Sequence, residues 1–259
     1  MNGGQSPASG WKERIILKLL IVRHGDPNYE IDSLTEKGWR EAELLSRRLA
    51  EMDIKDFYVS PLGRARDTAS VTLKKLGRTA EEYPWLREFH APICRPDIGE
   101  KYNICWDWLP QDWMGEERYF LPEAWSETEI MQEGDVRREY DWVAENLDAL
   151  LESYGYKRQG RWYEAVRPNN DAIAFFCHFG VECVMLSHLL NISPMALWHG
   201  TCAAPTSVTT VVTEERRKGV ASFRMCAFGD VSHLYRYGEP PSFSARFREC
   251  YDNEWERRD

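Results

Sequence analysis

Two stretches of this chain are apolar at nearly every consecutive position, Ile15–Val22 and Ala172–Cys177. A strand with one wet face would alternate polar and apolar residues, so these runs read as strands buried on both faces. Between them, Thr35 opens a helix that puts Trp39, Ala42, Leu45 and Leu49 at helical spacing. Asp56–Val59 is a short strand broken by Ser60-Pro61, and Leu62–Leu76 is a second helix closed by Gly77. Strand, helix, strand, helix in that order predicts a parallel sheet with crossover helices. Further on, Asp135–Tyr154 carries Val136, Tyr140, Val143, Leu147 and Leu150 on one helical face. Val181–Leu190 reads as a helix, and Val208–Val212 and Phe223–Ala227 as two later strands.

Residues 91–134 break this rhythm. They hold Pro92, Pro96, Pro110 and Pro122 together with Trp106, Trp108, Trp113 and Trp125. The segment is expected to be an insertion lying over the fold. Its tryptophans form a packed extra layer, or else Trp106, Trp108 or Trp113 lines a pocket and selects what enters it. With no repeats or low-complexity tracts, the 259 residues are expected to form one domain, with this insertion and an N-terminal arm over residues 1–12.

The formal charge of −9 argues against broad binding to nucleic acid or to an anionic membrane, because both require a positive surface. Cys94, Cys105, Cys177, Cys183, Cys202, Cys226 and Cys250 are odd in number, scattered and never paired as CxxC. Packed, reduced thiols and a cytoplasmic location are therefore expected. No export signal is visible, and Ile15–Val22 is far shorter than the roughly 20 residues that cross a bilayer.

The chemistry gathers at the strand ends. Both buried runs lead into a histidine, His24 and His178, and ligand sites of parallel sheets collect at the carboxyl ends of strands. Arg23 precedes His24, and Ser60-Pro61-Leu62-Gly63-Arg64-Ala65-Arg66 brings Arg64 to the same rim. Two imidazoles among guanidinium groups suit phosphoryl transfer. Planar guanidinium forks grip phosphoryl oxygens, and a neutral imidazole can attack phosphorus and carry the group. The leaving alkoxide needs a proton, for which Glu88 is the best candidate, ahead of Glu81, Glu82, Asp26 and His90. Arg66, His199 and His233 are expected to be structural. Asn28 either contacts phosphate or serves the turn after Pro27.

Four segments in this order resemble the histidine phosphatase superfamily, also called phosphoglycerate-mutase-like, in its first branch. Leu20-Ile21-Val22-Arg23-His24-Gly25 resembles its signature triplet, and Ser60 to Ala69 its second arginine motif. Leu86-Arg87-Glu88 resembles its proton-donor segment, and Phe176-Cys177-His178 its second histidine. The resemblance covers roughly residues 15–235. It implies a three-layer α/β/α fold with a doubly wound, mostly parallel sheet. It also implies His24 as nucleophile, Glu88 as proton donor, and Arg23, Arg64 and His178 as the grip on phosphate. Neither a metal nor a nucleotide cofactor is implied, and the implied partner is a small phosphorylated substrate.

Departures narrow the expectation. Cofactor-dependent mutases of this family follow the triplet with a hydroxyl residue and then an asparagine, positions held here by Pro27 and Glu30. Their Glu-Arg-His-Tyr-Gly is here Glu88-Phe89-His90-Ala91-Pro92. The family's acid phosphatases and phytases place an aspartate after the second histidine, where this chain has Phe179. The expectation is a phosphomonoesterase acting on a small phosphorylated metabolite through phosphohistidine. The alternatives are phosphoglycerate-mutase-type transfer and a catalytically inactive phosphate-binding module.

Overall fold

Alternation along three adjacent strands divides the core in two. Leu20, Val22, Phe57, Val59, Ala174 and Phe176 face one way and pack with Leu45, Leu49 and Ala69. Leu19, Ile21, Tyr58, Ile173 and Phe175 face the other way, into a larger cluster with Tyr140, Leu147, Val181 and Val184. Because strand side chains alternate, a sheet built from such runs must be covered by helices on both sides. A computed structural model of the chain describes residues 16–95, 101–102 and 104–244. The expected N-terminal arm, Pro96 in the insertion and Cys250 lie outside the described residues.

Among the described residues the main sheet has eight strands. In chain order they are β1 (Lys18–Arg23), β2 (Asp56–Val59), β3 (Glu81–Glu82), β4 (Tyr156–Gln159), β5 (Trp162–Ala165), β6 (Ala172–Cys177), β7 (Val208–Arg217) and β8 (Val220–Asp230). Across the sheet the order is β3-β2-β6-β1-β7-β8-β5-β4. β3, β2, β6 and β1 run parallel, whereas β7, β8, β5 and β4 join as an antiparallel extension. The helices are α1 (Glu36–Ala50), α2 (Gly63–Leu76), α3 (Val136–Ser153), α4 (Phe179–Leu190) and α5 (Pro194–Gly200), with shorter turns between them. α1 and α2 lie against each other on one face, and α3 and α4 on the other, giving the expected three-layer α/β/α arrangement.

Thr35 caps α1, its hydroxyl accepting the Gly38 N–H, as the sequence indicates. Trp39 departs from expectation: it is 41% exposed, so the buried stripe of α1 runs through Ala42, Leu45 and Leu49 without it. α4 starts two residues before the expected Val181, with His178 itself as N-cap. The insertion also differs from an outer layer. Trp106, Trp108, Trp113 and Trp125 are all buried within the larger core cluster. Among the described residues, no helix is long and apolar enough to cross a membrane.

Candidate active site

The parallel half of the sheet builds the site. Beyond the end of β1, His24 donates its backbone N–H to Cys177 at 3.0 Å and accepts that of Thr206 at 3.0 Å, so the ladder carries the histidine between β6 and β7. Ser60 extends β2 in the same way, bonding the Phe176 carbonyl at 2.9 Å. Three strand ends thereby deliver Arg23-His24, Ser60 and His178 to one rim. The His24 and His178 ring centroids stand 5.1 Å apart.

His24 is 1% exposed, and its Nδ1 lies 2.7 Å from the Gly25 carbonyl. A carbonyl can only accept, so Nδ1 carries the proton and Nε2 keeps its lone pair. Burial, then Arg23 and Arg64, hold the His24 pKa well below the ordinary imidazole value. The ring is therefore neutral at pH 7.

His178 is fully buried, and its Nε2 meets the Ser60 hydroxyl at 2.7 Å. That hydroxyl oxygen also accepts the Leu62 N–H at 3.2 Å. The Ser60 hydroxyl either donates to Nε2, leaving the ring proton on Nδ1, or accepts from it. Nδ1 is buried and has no hydrogen-bond partner among the described residues. Burial, His24, Arg64 and Arg23 lower the His178 pKa as well.

The two arginines are each anchored at one end and unsatisfied at Nε. Arg23 gives Nη1 to the Ala203 carbonyl at 2.7 Å and Nη2 to the Ser244 carbonyl at 2.8 Å. Arg64 gives Nη1 to Asp32 at 2.7 Å. The other oxygen of Asp32 accepts the Gly63 N–H at 2.6 Å and so caps α2, whose N-cap residue Leu62 makes no side-chain bond. Arg23 Nε and Arg64 Nε are both buried without partners. Each guanidinium has five N–H groups, so ample donor capacity remains for an oxyanion.

Glu88 follows the short turn Pro84–Leu86, and its Oε1 accepts the Phe89 N–H at 2.9 Å. Burial raises its pKa, opposed by Arg64 and Arg23 among others. Gly180, two residues beyond His178, lets the acid come close: a Cβ there would stand 2.6 Å from Glu88 Oε1. Phe179, directly after the second histidine, turns its ring over the Arg23 guanidinium at 6.0 Å.

The rival acids lie elsewhere. Glu81 and Glu82 sit on the exposed edge strand β3, with Glu82 near Arg66 at 3.7 Å, and His90 is exposed. Asp26 receives hydroxyls from Thr35 (2.6 Å), Ser244 (2.7 Å) and Ser242. Asn28 uses its carbonyl oxygen on the Glu30 N–H at 3.2 Å, a turn role. His199 accepts the Trp108 N–H at 3.1 Å, and His233 meets the Thr206 hydroxyl at 3.2 Å, so both are tied to local structure.

Asp32, Ser60 and the tail were missing from the sequence-based site. Ser60 stands directly after a strand, beside an arginine motif, which is a usable signal. Asp32 and Ser244 reach the arginines only through tertiary folding, and nothing local marks them.

Comparisons with known proteins agree with this architecture. The family model for the histidine phosphatase superfamily (branch 1) matches residues 19–225. The 2,3-bisphosphoglycerate-dependent phosphoglycerate mutase of Thermoplasma acidophilum is 39% identical over 62 residues, 20% of this chain and 31% of that protein. The probable phosphoglycerate mutase GpmB of Photorhabdus laumondii is 33% identical over 87 residues, 30% of this chain and 40% of that protein. The chain thus spans well under half the length of either relative. A solved phosphoserine phosphatase of Entamoeba histolytica, in complex with 3-phosphoglyceric acid, superposes with a TM-score of 0.54 at 16% identity, covering 84% of this chain and 99% of that one. Its likeness concerns the fold. Since the family model spans most of the sequence, from within β1 to within β8, this chain belongs to the histidine phosphatase superfamily, branch 1.

Proposed function

We propose that the chain is a phosphomonoesterase that hydrolyses a small phosphorylated metabolite through a phosphohistidine at His24. One observation carries the reading. Two buried donors, Arg23 Nε and Arg64 Nε, together with the ring nitrogen His178 Nδ1, have no partner among the described residues and belong to the groups that interact electrostatically with His24. Burying unpaired donors costs free energy, and an oxyanion in their midst would satisfy them.

The chemistry then runs in two balanced steps. The Nε2 lone pair of His24 attacks phosphorus while the ester P–O bond breaks, and Glu88 gives its proton to the departing oxygen. The phosphoryl charge spreads onto the arginines and His178. Glu88, now a carboxylate, takes a proton from water as the water oxygen attacks phosphorus. The P–N bond breaks, its electrons return to Nε2, and inorganic phosphate leaves.

Release of inorganic phosphate from a panel of alkyl phosphomonoesters, compared between the native chain and His24→Ala, tests this. The expected loss is several orders of magnitude, each tenfold being about 1.4 kcal/mol of barrier. Comparable turnover by the two proteins refutes the proposal. Transfer of the phosphoryl group to a second hydroxyl without release of phosphate would instead identify a mutase. Tight phosphate binding with no phosphoenzyme would identify an inactive module.

A further inference from the structure

Four tryptophans of the 91–134 segment are buried, and they differ in what their indole N–H groups do. Trp108 donates to the Cys105 carbonyl at 3.0 Å. Trp106 Nε1 and Trp125 Nε1 are buried without a partner among the described residues. Trp125 lies in the interior, against Tyr140 and Trp198. Trp106 lies against the site. Its Cζ2 would stand 3.0 Å from a Cβ on Gly180, and Glu88 Oε1 would stand 2.6 Å from that same point. Cζ2 and Nε1 are both bonded to Cε2, so the N–H lies on the same side of the indole as the carbon that approaches Gly180.

The surroundings fix Trp106 in place. Its ring packs on Phe179 with centroids 5.3 Å apart, and Phe179 in turn covers Arg23. Its backbone carbonyl accepts Arg95 Nη1 at 3.3 Å, and the same nitrogen meets Asp107 at 3.4 Å in a buried ion pair. The next backbone N–H but one, that of Trp108, is held by His199. A buried charge pair thus ties the backbone of this short stretch, while the Trp106 indole N–H has no partner among the described residues.

We propose that Trp106 is a specificity-determining residue, its N–H binding an oxygen of the leaving group close to the ester carbon. The inference rests on the phosphomonoesterase reading, because Glu88 must stand where the leaving oxygen departs. Whatever is attached to that oxygen passes the Trp106 edge. A hydroxyl or carboxylate one carbon away pairs with the N–H, whereas a plain alkyl chain leaves it buried and unsatisfied. Sites built around a hydrogen bond discriminate most strongly against the analogue that lacks it. The substrate class is therefore the phosphomonoesters of polyols and hydroxy acids.

Glycerol 1-phosphate and propyl phosphate differ in the oxygens at issue, and the test is their ratio. In the native chain, kcat/KM is expected to favour glycerol 1-phosphate. Trp106→Phe keeps an aromatic ring without the N–H, and is expected to lower that preference about tenfold. Trp125→Phe removes an equally buried N–H in the interior and is expected to leave the preference unchanged. The same ratio is measured as binding affinity by calorimetry in His24→Ala and in His24→Ala combined with Trp106→Phe. An affinity ratio that falls with Trp106→Phe shows the N–H contacting the bound ester, whereas absence of turnover in the native chain refutes the catalytic reading and with it the assignment of that contact to a leaving group. A ratio that Trp106→Phe leaves unmoved, or that Trp125→Phe moves equally, overturns the inference even if turnover is intact.

Discussion

The Ser60 hydroxyl meets Nε2 of His178 at 2.7 Å, which leaves Nδ1 as the ring nitrogen without a partner among the described residues. Under the phosphatase reading Ser60 must donate to Nε2, which puts the ring proton on Nδ1, where it can meet a phosphoryl oxygen. Ser60→Ala removes the donor and strands a buried nitrogen. Leaving such a group unpaired costs about 1–3 kcal/mol, so the melting temperature is expected to fall by several degrees, and kcat to fall roughly tenfold or more as His178 loses its anchor. An unchanged kcat would show that Ser60 does not set the tautomer.

The pH profile follows from two opposite shifts. Burial and the two arginines depress the His24 pKa, so the nucleophile stays neutral well below pH 6.5. Burial raises that of Glu88, so the acid keeps its proton above the usual carboxylate range. In kcat/KM, the acid limb belongs to His24 and the alkaline limb to Glu88. Between pH 6.5 and 5.5 an ordinary imidazole nucleophile would lose roughly fivefold in rate, and here the decline is expected to be smaller. Glu88→Gln is expected to lower turnover of alkyl esters by about 10²–10⁴ and to remove the alkaline limb. A Gln variant with the native profile would assign the proton to another group.

Gly180→Ala tests the close approach of helix and acid. The added carbon would stand 2.6 Å from Glu88 Oε1 and 3.0 Å from Trp106, so the carboxylate must shift. The expected result is a loss of at least about tenfold in kcat/KM. Retained activity would mean that the Glu88 carboxylate has room to move without cost.

Much of the sheet was legible from local pattern, and β2 and β6 fall at their expected boundaries because runs buried on both faces have no ambiguous register. The hairpin of β4 and β5 was not read. Its apolar positions, Tyr156, Tyr163 and Ala165, alternate with Lys157, Arg158 and Glu164, and so few alternations at a charged sheet edge resemble loop. The start of α4 was missed because this helix is buried nearly all round, leaving no amphipathic phase to mark its first turn. His24, His178, Arg23 and Arg64 could be picked out because each lies at a strand end or in the segment that follows one. The groups that orient them could not: Asp32 comes from a hairpin loop and Ser244 from the tail, 221 residues from Arg23.

Glu182 offers a stability test that is independent of turnover. It is 1% exposed on α4, and burial pushes its pKa up to about 7. An acid whose folded pKa is raised loses stability as pH climbs from its unfolded value near 4.5 to its folded one, and above that the penalty is constant. Glu182→Gln removes the titration. Its melting temperature relative to the native chain should therefore be higher at pH 8 than at pH 5, by an amount equivalent to about 3 kcal/mol at most. The same offset at both pH values would contradict the shift.

The central claim is that the phosphoryl group rests on His24 between the two steps. The direct measurement is 31P NMR of enzyme mixed with a turning-over phosphomonoester, denatured in alkali and freed of small molecules. A phosphohistidine resonance, destroyed by acid and missing from His24→Ala, is the expected result. Native enzyme that releases phosphate from the ester without ever yielding that resonance, or a His24→Ala variant that still yields it, would contradict the account.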